Sequence, residues 1–527
     1  MTNALLRTPH TTSLTRILAM SLSLLAGVSD APAQERLTLA DATSRALAKN
    51  HAIRVERTQV AAADARAAAS LGAYDVRLNV DINARHHRDP VNSLFSGAPD
   101  GRPAPSQNTF SSSFGLSQRY RTGAVVSAST SVAREGTDGL FSPFAPAYTS
   151  SLGVDLQQPL LRNRVIDPSR TALLVTALDR ERSGAALTRQ VQETVADVEK
   201  AYWSLVAARR ELDVRRGNLT LAEQQHRETQ IRIEANTVAV SDLAQPAAEI
   251  ERRRGELLSA QESVVRAERA LKLLMIGDLD DPAWAAGLAP TDVPDASPIP
   301  VDLATALSAA RRNRPEISEL AARGSQHDLE VALARDQLKP RMDLVASYTV
   351  RGMAGDLESG SFPFGNVPVS PLPSLTGGMG NSWSNLFDRK FPDAVVGLSF
   401  EVPMGRREAR GAVAAAEADR RRTSTMAEAL QERIATEVLN AVTAIETAQG
   451  RIQAARAGLA AATTQLRAEQ DRFDAGLSTN FFVLTRQNDL ALAQLAEIAA
   501  LTDYRKAYAE LARATGTLLE DRSIRVD

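Results

Sequence analysis

Between Ile434 and Phe473 the chain keeps a single beat. Val438, Ile445, Ile452, Leu459, Leu466 and Phe473 fall seven residues apart, with Ile434, Ala441, Ala448, Ala455 and Ala462 as a companion column. Spacings alternate four and three for about 40 residues, the seam of a left-handed supercoil. One column is large and the other nearly all alanine, so a partner helix can approach closely on the alanine side. Val191, Val195, Val198, Tyr202, Leu205, Leu212 and Leu219 repeat the beat in the first half. The helices carrying these seams span roughly 168–234 and 406–474, each about 100 Å long at 1.5 Å per residue. Helices of that length need partners along their whole course, because most helical stability comes from packing. Shorter helical stretches at roughly 38–71, 241–275, 302–336 and 479–516 match them in pairs. The expected arrangement is antiparallel, each long helix against two shorter ones. An aromatic content of 4% suits closely packed helices better than a thick globular core.

The order of parts occurs twice. Leu39-Ala40-x-Ala42 returns as Leu303-Ala304-x-Ala306 at an offset of 264. Gly153-Val154-Asp155-Leu156-x-x-Pro159-Leu160 returns as Gly397-Leu398-Ser399-Phe400-x-x-Pro403-Met404 at 244. Ile233-Glu234-Ala235-Asn236 returns as Phe473-Asp474-Ala475-Gly476 at 240. Three blocks in one order indicate an internal duplication. The expected organisation is a signal peptide at 1–33, a first repeat at 34–280, a Pro-rich extended linker at 281–300, a second repeat at 301–520 and a tail at 521–527. Each repeat reads short helix, strands, long helix, short helix.

The strand signal is separate from the helical one. Val76 to Arg85, Leu152 to Gln157, Met342 to Tyr348 and Val396 to Val402 alternate apolar and polar residues, giving each strand one apolar and one polar face. Residues 74–160 and 341–403 hold 15 of the 23 aromatics. Such enrichment beside alternating strands is the pattern of lipid-facing barrel strands. A sheet edge cannot face lipid, and four strands cannot close a barrel, so several chains must share one; three would supply twelve strands. The polar face (Arg77, Asn79, Asp81, Asn83 and Glu401) would line the lumen. Residues 110–134 add a hairpin that either enters the barrel or extends a surface loop. The Gly-, Pro- and Ser-rich stretches 89–108 and 354–390 read as extracellular loops.

Arg7 and Arg16 precede the apolar run Ile17 to Val28, followed by the small-x-small site Ala31-Pro32-Ala33. Twelve helical residues rise about 18 Å, too short for a bilayer and right for a signal-peptide core. Export is expected, with the mature chain starting near Gln34. No later run of 18 apolar residues offers a transmembrane helix. The charge balance, 61 Lys+Arg against 63 Asp+Glu, leaves no basic excess for nucleic acid. With no cysteine there is no disulfide, no thiolate metal site and no lipidated N-terminal Cys. His86 and His87 are strand neighbours facing opposite sides. Without a nucleophile elbow, phosphate loop or zinc motif, neither catalysis nor a cofactor or metal is expected.

Four features carry a family resemblance: the doubled unit, Gln158-Pro159-Leu160 before the long helix, Asn313-Arg314-Pro315-Glu316, and Phe473-Asp474-Ala475-Gly476-Leu477-Ser478-Thr479-x-x-x-Val483-Leu484. With these the chain resembles the TolC-like outer membrane efflux protein family. The resemblance implies a mixed α and β membrane protein: a long antiparallel coiled-coil α-helical barrel joined to a transmembrane β-barrel shared between three protomers. It implies a homotrimer held in outer membrane lipid, with a long periplasmic extension, acting as a passive exit duct. A periplasmic adaptor (membrane fusion protein) and an inner-membrane pump would be its partners. The two helix reversals would form the periplasmic tip, with Asn236, Thr237, Gly476, Leu477, Ser478 and Thr479 meeting the adaptor. Ser241 and Asp242 match the family's polar gate positions. The second repeat departs, with Phe482 and Thr485 where some members carry acids and Phe473 where some carry a hydroxylated aromatic. The expected constriction is therefore partly apolar, formed by Ser241, Asp242 and Phe473 with Phe481 or Phe482 pointing inward. The competing reading is an exported coiled-coil stalk anchored in the outer membrane with no conduit.

Overall fold

The computed structural model describes residues 35–88, 90, 103–139, 142–298, 300–357 and 373–526. The expected signal peptide lies outside them, as do most of the expected loop at 89–108 and part of that at 354–390. Both seams lie in unbroken helices, α3 (Pro168–Glu234) and α8 (Arg407–Asp474). Asp167 sets the start of α3: its carboxylate accepts the Arg170 amide at 2.9 Å, and Pro168, which has no N–H to satisfy, follows. Of the second seam, Val438, Ile445, Ile452, Leu466 and Phe473 are buried, with Ile434, Ala441, Ala448 and Ala462 beside them.

The shorter helices come in matching sets. In the first half they are α1 (Leu39–Lys49), α2 (His51–Leu71) and α4 (Ala244–Met275). In the second they are α5 (Leu303–Asn313), α6 (Pro315–Gln337) and α9 (Asn480–Thr515). Thr38 and Asp302, 264 residues apart, cap α1 and α5. The expected 38–71 and 302–336 helices are each broken once, at Asn50 and Arg314, where the backbone is extended. Pro315 explains the second break, since the residue before proline is pushed out of the helical region. A single turn, α10 (Leu518–Asp521), follows α9.

The molecule divides into two compact units. The first comprises residues up to 51, 194–300 and 443–511. Here Arg209 pairs with Glu268 and Arg215 with Glu256, so α4 runs antiparallel to α3, and Arg456–Glu497 sets α9 against α8 in the same sense. Its core gathers Val198, Tyr202, Trp203, Leu205 and Leu271. The expected extended linker is partly sheet: β1 (Glu35–Leu37) pairs in parallel with β6 (Leu288–Pro290). Pro290 is tolerated because it ends a strand of a two-stranded sheet. Tyr202 fastens this pair, its hydroxyl lying 3.0 Å from the Leu37 carbonyl and 2.5 Å from Asp292 Oδ2.

The second unit comprises 52–193, 301–442 and 512–527. Arg180–Asp64 and Arg189–Glu319 hold α2 and α6 antiparallel to α3, and Arg335–Glu417 holds α6 to α8. It also contains one antiparallel sheet of six strands: β2 (Arg77–Arg88), β3 (Ser106–Arg119), β4 (Val125–Thr137), β5 (Phe144–Pro159), β7 (Arg341–Leu357) and β8 (Phe391–Glu401), in that spatial order. Among the described residues the count of four is thus corrected to six, because residues 106–117 pair with β2 and 125–135 with β5. Paired residues share a face. One face carries the row Leu78, Leu116, Ala128, Val154, Tyr348, Ala394 and the row Val80, Phe114, Thr130, Leu152, Val350, Pro392. The other carries Asn79, Gly115, Ser129, Gly153, Thr349, Asp393. The expected 354–390 loop holds a helix, α7 (Met379–Phe387), on the apolar face, where a Cβ at Gly352 would strike the Ser382 carbonyl. Ser382, Asn385 and Leu386 turn toward the strands, while Trp383 and Phe387 stack with ring centroids 5.8 Å apart. Among the described residues no helix is long and apolar enough to cross a membrane.

Candidate functional site: the paired helix reversals and the open sheet

Both long helices end in the same turn. The Thr237 amide bonds back to the Arg232 carbonyl and the Asn236 amide to Ile233; Leu477 to Arg472 and Gly476 to Phe473 repeat this 240 residues on. The residue at the bend has positive φ, 54° at Asn236 and 72° at Gly476, a conformation that Asn and Gly tolerate best. The return paths differ. In the first half a 3-10 turn, Val240–Leu243, leads into α4, and neither Ser241 nor Asp242 caps it. Pro246 is buried in the first turn of α4, where a missing N–H costs least. In the second half Thr479 precedes α9 and its carbonyl accepts from Phe482 at 3.1 Å, while the Ser478 hydroxyl bonds Glu469 instead of capping.

Seven of the sequence-selected tip residues line one cavity of about 410 Å³: Thr237, Asp242, Phe473, Gly476, Ser478, Thr479 and Phe481. Asn236, Ser241, Leu477 and Phe482 lie outside that lining, all exposed. Phe473 is buried, with the Arg232 guanidinium 4.0 Å from its ring centroid and Arg232 also 3.3 Å from Asp474. The cation lies on the ring's electron-rich face, and the contact ties one reversal to the other. Phe481 and Phe482 are about half exposed and meet edge to face at 5.5 Å. Leu477, 80% exposed, is the most open apolar residue of the second reversal.

Behind the reversals lies a polar layer that the apolar columns alone did not point to. Asn480, heading α9, bonds both Gln225 and Thr229 of α3. Further along, Arg253 of α4 is 1% exposed and reaches both neighbouring helices. It donates to the Asn218 carbonyl of α3 at 2.6 Å, to Gln487 Oε1 of α9 at 3.2 Å and to the Leu484 carbonyl at 3.3 Å, while Nε holds Glu249 at 2.7 Å. Burial pulls the guanidinium pKa down. Burial also opposes ionisation of Glu249, yet hydrogen bonds from Arg252 and Arg253 hold its carboxyl below its ordinary value. A signal existed: Asn218, Ala222, Gln225 and Thr229 continue the four-three spacing of α3 and are buried where Leu219 is only half-buried.

The sheet, in the second unit, is a separate candidate site. Arg77, Asn79, Asp81, Asn83 and Glu401 all lie on its polar face and are all exposed. Glu401 stands between Arg341 and Arg162, 3.8 and 3.9 Å away. On the opposite face Leu78, Ile82, Val396 and Leu398 are each 64–79% exposed. Strands β2 and β8 each hydrogen-bond a single neighbour, leaving two long free edges in the described sheet.

The fold is one shared with solved outer membrane proteins. Three solved structures share it: the Campylobacter jejuni CmeC outer membrane channel (15% identity, 91% of this chain and 86% of that one, TM-score 0.63), the Vibrio cholerae outer membrane protein VceC (16%, 91% and 96%, 0.61) and the open-state Neisseria gonorrhoeae MtrE outer membrane channel (16%, 91% and 89%, 0.61). Residues 306–517 match the family model of the outer membrane efflux protein. No curated protein matches the sequence significantly.

Proposed function

We propose that three copies of this chain form an outer membrane channel, a passive exit duct for substrates that an inner-membrane pump delivers through a periplasmic adaptor. The observation that carries the reading is the six-stranded sheet, apolar on one face, polar on the other and free at both edges. Its exposed leucines, valines and phenylalanines suit lipid, and its polar face suits a water-filled lumen. Unpaired edges cost several kcal/mol per backbone group in lipid, so β2 of one copy pairs with β8 of the next. An even strand number per copy makes that junction antiparallel. The paired reversals form the periplasmic tip. Asn236, Thr237, Gly476, Leu477, Ser478 and Thr479 meet the adaptor there, and Ser241, Asp242, Phe473, Phe481 and Phe482 narrow the passage. Nothing in the sequence suggests a nucleotide site, so the energy is the pump's.

The test is heat-modifiable trimer migration in detergent together with ion conductance in planar bilayers. A trimer that conducts supports the duct, and Phe482→Ala or Asp242→Ala should raise its conductance. A trimer that never conducts, even with adaptor present, favours the stalk.

A further inference from the structure

We infer that the hairpin β3–β4 is part of the membrane wall, so that three copies close a barrel of eighteen strands whose added lining is made of seryl hydroxyls. The inference rests on the trimeric duct proposed above and changes its bore.

Three observations carry it. First, the hairpin is paired on both sides through registers of eleven residues or more, Arg77–Arg88 against Ser106–Ser117 and Val125–Glu135 against Ala147–Gln157. It is therefore interior to the sheet. Second, its two faces continue those of its neighbours. Phe110, Phe114 and Leu116 are about half exposed on the apolar face, beside Ala84, Val80 and Leu78. A hairpin standing in water beyond the membrane has no use for such a face. Ser111, Ser113, Ser117, Ser127, Ser129 and Ser131 occupy the opposite face, in line with Asn79 and Asp81. Third, the hairpin traverses the full height of the sheet. Its turn, Tyr120 to Gly123, reaches the end from which the helices leave: Gln158 Nε2 donates to the Thr122 carbonyl at 3.2 Å, and a Cβ on Gly123 (φ +84°) would lie 2.9 Å from the Asn163 carbonyl.

The geometric consequence follows from strand number. At about 4.8 Å between strands and a tilt near 40°, twelve strands close at a backbone radius of about 12 Å and eighteen at about 18 Å. The cross-section roughly doubles. Serine does not fill the extra space, and between Arg119 and Glu135 the added strands place no charge on the polar face. This part of the wall sorts hydrated cargo by size and not by charge.

Because the chain has no cysteine, single-cysteine variants report cleanly. The reconstituted trimer is treated with a membrane-impermeant sulfonated maleimide and, separately, with a bilayer-dissolved pyrene maleimide. Ser113→Cys and Ser129→Cys should react at least tenfold faster with the first, and Phe114→Cys and Leu116→Cys with the second. Asn79→Cys against Val80→Cys and Ser399→Cys against Leu398→Cys are the controls on β2 and β8. If the controls alternate while both faces of β3 and β4 take the water-soluble reagent, the hairpin is outside the wall and this inference falls, with the duct intact. If no strand alternates, the duct reading falls with it. A particle reconstruction counting twelve strands around the wall would equally overturn the larger barrel.

Discussion

Arg253 offers the sharpest test of how the tip is held. Arg253→Met keeps most of the aliphatic volume and removes the guanidinium, so the cavity left behind is small. The donors lost reach two carbonyls and one amide oxygen on two other helices, at 2.6, 3.2 and 3.3 Å. Hydrogen bonds from a charged group contribute about 1.5–3 kcal/mol each. The Asn218 and Leu484 carbonyls belong to helices and keep backbone partners, and Glu249 keeps Arg252 at its side. The variant is also spared the cost of burying a cation, which offsets part of the loss. A net destabilisation of about 3 kcal/mol follows, local to α3, α4 and α9. At 1.4 kcal/mol per factor of ten, local opening becomes about 100-fold more populated. Hydrogen exchange read by mass spectrometry should show this for amides 214–222 and 484–491, with the β2–β8 sheet unchanged. Arg254→Met is the control, since Arg254 and Glu251 form an exposed pair worth little. Exchange in those two segments rising less than threefold in Arg253→Met would refute the view that this buried cation holds the three helices together.

Acid should act on the same place. Glu249 is held below its ordinary pKa, so its contribution to stability is present above the unfolded value of about 4.3 and is lost as pH falls through the lower folded value. Protection at 484–491, corrected for the intrinsic exchange rate at each pH, should therefore fall below about pH 4 in the wild type and less steeply in Glu249→Gln; equal slopes would count against it. Gly476→Ala meets no atom within 4 Å, so its cost is that of the positive φ alone, about 1–2 kcal/mol, seen as a lower Tm. Asn236→Gly should be nearly neutral, and a larger loss there than at Gly476 would contradict the shared turn geometry. With Trp203 and Trp284 replaced by Phe, the remaining Trp383 should be quenched by brominated lipid in reconstituted trimers. Quenching by aqueous iodide alone would place α7 away from the bilayer.

Much of this molecule is local periodicity, and local periodicity is legible in a sequence. A spacing of seven residues defined α3 and α8 to within a residue because a helix presents one stripe whatever it later packs against. A spacing of two marked β2, β5, β7 and β8 for the same reason. The 240-residue echo between Asn236 and Gly476 identified two matching bends before any contact was known.

What the sequence could not decide was anything that depends on a distant partner. Residues 106–137 alternate equally well as a free loop hairpin or as membrane wall; only pairing with Arg77–Arg88 on one side and Ala147–Gln157 on the other makes them interior strands. Helix α7 carries serine and asparagine toward the strands and its Trp383 and Phe387 away from them, an arrangement that has meaning only once the apolar face of β5 and β7 lies beneath it. The polar layer of Gln225, Thr229, Arg253 and Asn480 reads as a set of flaws in a heptad until helices from both halves bring donors and acceptors together across 231–255 residues of chain. Patterning is a property of neighbours along the chain, whereas hydrogen-bond satisfaction and sheet register are properties of neighbours in space. That difference divides what the sequence determined here from what the tertiary structure added.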